Sequence, residues 1–179
     1  IDWQRTDLLL MPTIRYSVGD KFSMNIGMPI DLFTTSAKDL VRGDNVRRNN
    51  VALQPIFSLN ATLLPELKFS GRASYVESYG GLYDSYAGYI MSDYRIISNR
   101  MGDQRRVARQ SYSASLSYGN TIRALFGSIN ASYWLQNNNL IYGTIYEGSL
   151  SRITATPLDN QSEGYTLSGT LSKRFDAIA

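Results

Sequence analysis

The feature that most constrains this chain is a two-residue alternation of apolar and polar side chains, because only an extended strand sends successive side chains to opposite faces. From Phe22 the even positions read Phe22, Met24, Ile26, Met28, Ile30 and Leu32, while the odd ones read Ser23, Asn25, Gly27, Pro29 and Asp31. A helix would mix these two sets on one surface. Upstream, Leu8, Leu10, Ile14, Tyr16 and Val18 share one face against Thr13, Arg15 and Ser17. Gly19-Asp20, between the two runs, reads as a tight hairpin turn.

The same pattern recurs downstream. Val51, Leu53, Phe57, Leu59, Ala61 and Leu63 oppose Gln54, Ser58, Asn60 and Thr62, and Phe69, Ala73 and Tyr75 alternate with Lys68, Ser70, Arg72 and Ser74. Tyr112, Ala114, Leu116 and Tyr118 interleave with Ser111, Ser113, Ser115 and Ser117. Leu125, Ile129, Ala131, Tyr133 and Leu135 face away from Ser128, Asn130 and Ser132; Tyr165, Leu167 and Leu171 face away from Thr166, Ser168, Thr170 and Ser172. The reading is seven strands, with room for one or two more in Tyr89 to Ser98 or Leu140 to Ile153. Pro12, Pro29 and Pro55 fall inside proposed strands and predict local interruptions, since each removes a ladder donor.

The connections alternate in length. Tight turns near Gly19, Pro65 and Asn120 alternate with stretches of about 17, 30 and 28 residues at Thr34 to Asn50, Gly80 to Arg109 and Gln136 to Gly164. Short turns at one end and long loops at the other are the arrangement of a transmembrane β-barrel. Strands of about 10 to 13 residues also suit a tilted crossing of hydrocarbon. The expected fold class is therefore all-β: an antiparallel transmembrane barrel, present as a section of about 7 to 10 strands of a larger up-and-down barrel. Residues 1–179 read as part of one outer-membrane barrel domain, with no plug domain among them.

Composition narrows the function. The chain has 13 Tyr, no His and no Cys, which removes disulfides, thiol chemistry, imidazole bases and the commonest zinc ligands. Its longest apolar run is Leu8 to Met11, far short of the about 20 residues of a membrane-spanning helix. A net charge of +3, scattered along the chain, gives no footprint for nucleic acid. Asp31, Glu77 and Asp176 stand apart in the sequence, so no enzyme site, cofactor site or metal site is expected. The small polar sets of Ser, Asn and Thr suit a hydrated lumen, which assigns Phe22, Met24, Ile26, Met28, Ile30 and Leu32 to lipid. Trp3, Tyr75, Tyr79, Tyr133, Trp134 and Tyr165 stand where interfacial aromatic girdles are expected.

Gly88-Tyr89-Ile90-Met91-Ser92-Asp93-Tyr94-Arg95-Ile96-Ile97-Ser98 resembles segments of the barrels of Bacteroidetes TonB-dependent outer-membrane receptors. So does the later run from Ala124-Leu125-Phe126-Gly127-Ser128 through Leu150-Ser151 to Tyr165-Thr166-Leu167-Ser168-Gly169-Thr170-Leu171-Ser172-Lys173; together the two stretches cover about a third of the chain. The resemblance implies a section of a 22-stranded barrel in the bacterial outer membrane that imports a large or scarce solute. Its implied partners are outer-membrane lipid, lipopolysaccharide, TonB through parts outside these residues, and a surface lipoprotein. Nothing here resembles a plug or a TonB box, so no transport residue is carried over by position.

The candidate solute contacts are therefore read from chemistry. In the Gly80 to Arg109 stretch, Tyr83, Tyr86, Tyr89 and Tyr94 accompany Arg95, Arg100, Arg105, Arg106 and Arg109. Tyr stacks on sugar or peptide groups, and Arg grips carboxylate or phosphate with two donors. A solvated loop paired locally with Asp84, Asp93 and Asp103 explains the same residues, and Arg42, Arg47 and Arg48 form a smaller basic group. Two rival functions stay open: a small self-contained barrel with a structural or adhesive role, and a soluble carbohydrate-binding β-sandwich.

Overall fold

The computed structural model describes residues 2–38, 43, 45–81, 88–99 and 104–175. Twelve strands are present among them: β1 (Asp2–Leu10), β2 (Thr13–Val18), β3 (Phe22–Gly27), β4 (Ile30–Lys38), β5 (Asn45–Leu53), β6 (Ile56–Leu64), β7 (Leu67–Tyr79), β8 (Tyr89–Asp93), β9 (Ile96–Asn99), β10 (Arg106–Asn120), β11 (Leu125–Glu147) and β12 (Leu150–Lys173). No helix is present among the described residues.

The twelve strands reduce to seven long runs and one small hairpin. β1 and β2 are one run interrupted at Met11-Pro12, β3 and β4 one interrupted at Met28-Pro29, and β5 and β6 one interrupted at Gln54-Pro55. Pairing keeps the same register on both sides of the first break, Leu10 facing Ile30 and Thr13 facing Gly27. Each proline still accepts from its neighbour: Met28 N–H donates to Pro12 O at 3.0 Å, Gln54 N–H to Pro29 O at 2.9 Å and Tyr75 N–H to Pro55 O at 2.9 Å. Only the missing proline N–H is lost, so the ladder pauses for two residues and resumes.

β2, β3, β6, β7, β10, β11 and β12 pair in that order as an antiparallel meander, and β9 joins the far end of β12 in parallel, with β8 outside it. Gly19 and Gly148 take φ of 53° and 62° at the two-strand turns, a conformation that costs a glycine nothing. The sheet is open: β2 and β8 are its edges.

Two expected loops are largely strand. Gln136 to Gly164 forms the outer half of the β11–β12 hairpin, paired as far as Glu147 and Leu150 around Gly148. Asn137, Asn138, Asn139, Pro157 and Asp159 look like turn formers, but the cross-strand ladder overrides their local preference, with a bulge between Asn138 and Leu140. Thr34 to Asn50 is likewise mostly β4 and β5, which pair out to Lys38 and Asn45. The short strands anticipated between Tyr89 and Ser98 are β8 and β9.

Above Pro55 the wall divides. β1, β4 and β5 form their own three-stranded sheet, and β5 does not pair with β7. The two sheets overlap instead: the Phe33 ring meets Tyr79 edge-on at 5.1 Å, and the Gln54 amide donates to the Glu77 carbonyl at 3.4 Å. Phe33, Thr35, Ala37 and Ala52 are buried in the three-stranded sheet, and Glu77 is buried at this seam.

In the meander, Leu140 and Ala155 are buried in the outer half of the β11–β12 hairpin, and the rows below it have no core. One face carries three cross-strand rows: Ile14, Ile26, Phe57, Ala73, Tyr112, Tyr133, Tyr165; then Tyr16, Met24, Leu59, Gly71, Ala114, Ala131, Leu167; then Val18, Phe22, Ala61, Phe69, Leu116, Ile129, Gly169. Every member is apolar, aromatic or glycine, yet nothing within the chain covers them, Leu167 and Leu171 being 75% and 80% exposed. A soluble sandwich would bury such a face against a second sheet, at about 25 cal/mol for each Å² removed from water. The architecture is an open, mostly antiparallel sheet with one apolar and one polar face, not a sandwich.

Candidate functional site

The opposite face is the polar one, and alternation places it without any special device. Its rows are Arg15, Asn25, Ser58, Arg72, Ser113, Ser132, Thr166; then Ser17, Ser23, Asn60, Ser70, Ser115, Asn130, Ser168; then Thr62, Lys68, Ser117, Ser128, Thr170. No aliphatic side chain interrupts them. Neighbouring strands tie these groups together: Ser115 Oγ–H donates to Asn130 Oδ1 at 2.6 Å, and the Ser128 and Thr170 hydroxyls are 2.8 Å apart. A trough of about 410 Å³ runs over Ser58, Asn60, Arg72, Ser113, Asn130 and Thr166. The serine alternation in the sequence pointed to this face, but not to the register that sets Arg15 and Arg72 in one row.

Above the trough on the same face, the Arg109 guanidinium lies 4.7 Å over the Trp134 ring. Trp134 faces Gly164 across the β11–β12 ladder and fills the space a side chain there would take. Sequence reading put Arg109 at the end of a loop and Trp134 in an aromatic girdle. The structure places Arg109 within β10 and turns both side chains to the polar face, since Arg109 alternates with Ser111 and Trp134 with Ser132.

The candidate loop residues separate. Tyr89 lies in β8 and Tyr94 in the β8–β9 turn, 60% and 73% exposed, and the Arg95 guanidinium lies 4.9 Å over the Tyr94 ring. The Arg95 carbonyl accepts from Ser151 N–H at 2.7 Å, which fixes this hairpin to the tip of β12. Arg105 belongs to the other side, its carbonyl accepting from Gly80 N–H at 2.7 Å. Tyr83, Tyr86, Arg100 and Arg42 lie outside the described residues, and Arg47 and Arg48 are in β5.

Arg106 is committed elsewhere. It donates to the Glu77 carboxylate, through Nε at 3.1 Å and also through its terminal nitrogen. Tyr75 and Tyr79 hydroxyls donate to the same carboxylate at 2.7 and 3.2 Å. These two tyrosines, expected in a girdle, instead satisfy a buried acid at the sheet seam, and Glu77 is not isolated. The signal was present as the spacing of Tyr75, Glu77 and Tyr79, which alternation puts on one face; the partner Arg106 comes only from the β7–β10 register, where it faces Tyr79. Tyr133 and Tyr165 do lie on the apolar face, beside Tyr112, whose ring stacks on Tyr133 with centroids 6.3 Å apart.

Of the residues assigned to lipid, Phe22, Met24 and Ile26 lie on the uncovered apolar face, Met28 sits at the proline interruption, and Ile30 and Leu32 continue the pattern in β4. There they face Leu10 with Leu53 and Leu8 with Val51, so the apolar rows extend into the three-stranded sheet.

No protein-family model matches the sequence, and no curated protein matches it. Solved structures do. The copper transporter OprC superposes with a TM-score of 0.64 at 11% identity, covering 94% of this chain and 27% of its own. The FrpB iron transporter from Neisseria meningitidis (F3-3 variant) gives 0.54 at 18% identity, covering 96% of this chain and 24% of its own. The chain thus spans about a quarter of the length of these two transporters. It has the fold of a wall section of an outer-membrane transporter barrel.

Proposed function

We propose that this chain is a barrel section of a TonB-dependent outer-membrane transporter that imports a large or scarce solute. The observation that carries the reading is the pairing of uncovered apolar rows with unbroken polar rows on a single open sheet. Such a sheet is stable where one side meets hydrocarbon and the other meets enclosed water. Phe22, Met24, Ile26, Met28, Ile30 and Leu32 then face lipid, and Ser, Asn, Thr and Arg rows line the lumen. Tyr112, Tyr133 and Tyr165, adjacent on one row, suit the outer headgroup level, where an aromatic ring keeps its body in hydrocarbon and its hydroxyl in water, and the tilt of the strands carries Ile26, three strands farther along that row, to a deeper level.

In this reading the long β11–β12 and β4–β5 hairpins and the β8–β9 arm project beyond the membrane on the external side. They offer Tyr89, Tyr94, Arg95 and Arg105 to solute or to lipopolysaccharide, with a surface lipoprotein as a further partner. TonB engages parts of the protein outside these residues. The neighbours' cargoes, copper and iron, make a metal-carrying solute one candidate class.

The test is made on the full-length protein. The reading expects it in the outer-membrane fraction, with gel mobility that changes on boiling, and solute uptake that stops when TonB is removed. Recovery as a folded soluble monomer without detergent overturns the barrel reading. A membrane barrel whose uptake is indifferent to TonB overturns the transporter reading and favours a structural or adhesive barrel.

A further inference from the structure

Between the short turns and Arg109 the strand residues of the polar face carry charge of one sign; Asp20, in the β2–β3 turn, lines one hollow with Lys68 at the lower limit of that stretch, and Asp31 in β4 lies beyond its upper limit. Across the rows from the short turns up to Arg109, the strands present Arg15, Lys68, Arg72 and Arg109 and no carboxylate among the described residues. The acids of the same sheet are elsewhere. Glu77 is on the opposite face with Arg106, and Glu163 accepts from the Tyr133 hydroxyl at 2.7 Å, also on that face. Glu147 is at the β11 tip, 3.7 Å from Arg152.

Arg15, Lys68 and Arg72 form no ion pair among the described residues. Arg15 and Arg72 share one row three strands apart, about 14 Å at the usual strand spacing. Between and beside them stand Asn25, Ser58, Ser113 and Ser132, whose N–H and O–H groups can donate to oxygen. Arg109 lies with its guanidinium 4.7 Å over the Trp134 ring, which leaves its N–H donors without a carboxylate partner on this face among the described residues.

We propose that this face binds an oxyanion-bearing solute, one carrying carboxylate or phosphate groups, with Arg15, Arg72 and Arg109 as its charged contacts. The inference rests on the transporter reading and deepens it. Uncompensated guanidinium groups beside enclosed water attract anions and repel bare cations. A spread of single charges about 14 Å apart fits an extended solute with several anionic groups better than a small monoanion.

The experiment uses the full-length protein in detergent or liposomes, with tripolyphosphate as probe and a neutral oligosaccharide of similar length as control, read by calorimetric titration. Boiling-dependent gel mobility, recorded on each sample, reports separately on whether the barrel reading holds. The expected result is tripolyphosphate binding that weakens as salt is raised, and a loss of about tenfold in R15Q/R72Q/R109Q. A variant that removes charge elsewhere, R123Q/K173Q, should bind as the unmodified protein does. No binding to a correctly folded barrel, or equal binding by both variants, overturns the proposal. So does a result in which R15Q/R72Q/R109Q keeps the affinity but lowers the heat resistance of the barrel, because the face then serves to hold an acidic part of the same protein.

Discussion

The indole of Trp134 occupies the place of a side chain on Gly164: a Cβ built there would lie 2.7 Å from Nε1 and Cε2 of the ring. The two residues face each other across the β11–β12 ladder, and the ring is also capped by Arg109. Gly164→Ala should therefore push the indole from its seat and cost about 1 to 3 kcal/mol, the range for overpacking a well-filled site. The check is a lower unfolding temperature together with a shift in tryptophan emission. Unchanged emission would mean the ring does not rest there.

The face assignment is tested by a pair of arginine substitutions. Ile26→Arg, on the uncovered apolar face, should cost about 2 to 4 kcal/mol in a liposome refolding assay, while Asn25→Arg on the polar face should be nearly neutral. Equal effects would defeat the assignment of lipid and water to the two faces.

Arg106→Ala leaves the buried Glu77 carboxylate with only the Tyr75 and Tyr79 hydroxyls. The expected loss is about 1 to 3 kcal/mol, the cost of an under-satisfied buried acceptor. The double variant Glu77→Gln with Arg106→Ala should lose less than the sum of the two single changes, because each removes the same pair. Additive losses in denaturant titrations would show that the two side chains act independently.

Ala124 holds φ of 45°, a left-handed conformation that a residue with a Cβ adopts at a cost of about 1 to 2 kcal/mol. It sits in the β10–β11 turn, where Ala124 N–H donates to Thr121 O at 3.2 Å and Asn120 Oδ1 accepts from Arg123 N–H at 2.9 Å. Ala124→Gly should hold stability level or raise it by up to about 1 kcal/mol, and Ala124→Val should lower it. The order of the three unfolding midpoints is the readout.

How much of this was legible beforehand depends on whether a property is local. The polar set around Ser113 and the apolar set around Met24 follow from alternation along single strands, and the turns at Gly19, Pro65 and Asn120 follow from turn chemistry. The β11–β12 hairpin beyond Gln136 did not follow. Its Asn-rich segment has no clean alternation, and it is held by pairs such as Asn138 Nδ2–H to Asn160 Oδ1 at 3.0 Å, between residues far apart in sequence. The bulge beside Asn139 has the same character: Asn139 Nδ2–H donates to Gln104 O at 2.9 Å and its Oδ1 accepts from Arg106 N–H at 2.7 Å.

The sequence by itself determined that the chain is extended, two-faced and turned back on itself at regular points, because side-chain direction in a strand depends only on position along it. Tertiary structure alone decided that Arg15 shares a row with Arg72, that Arg106 meets Glu77, and that the apolar rows stay uncovered. Those facts depend on which strand lies beside which, and at what offset. That choice is made by hydrogen bonds between segments, and a one-residue slip would have turned every side chain to the other face.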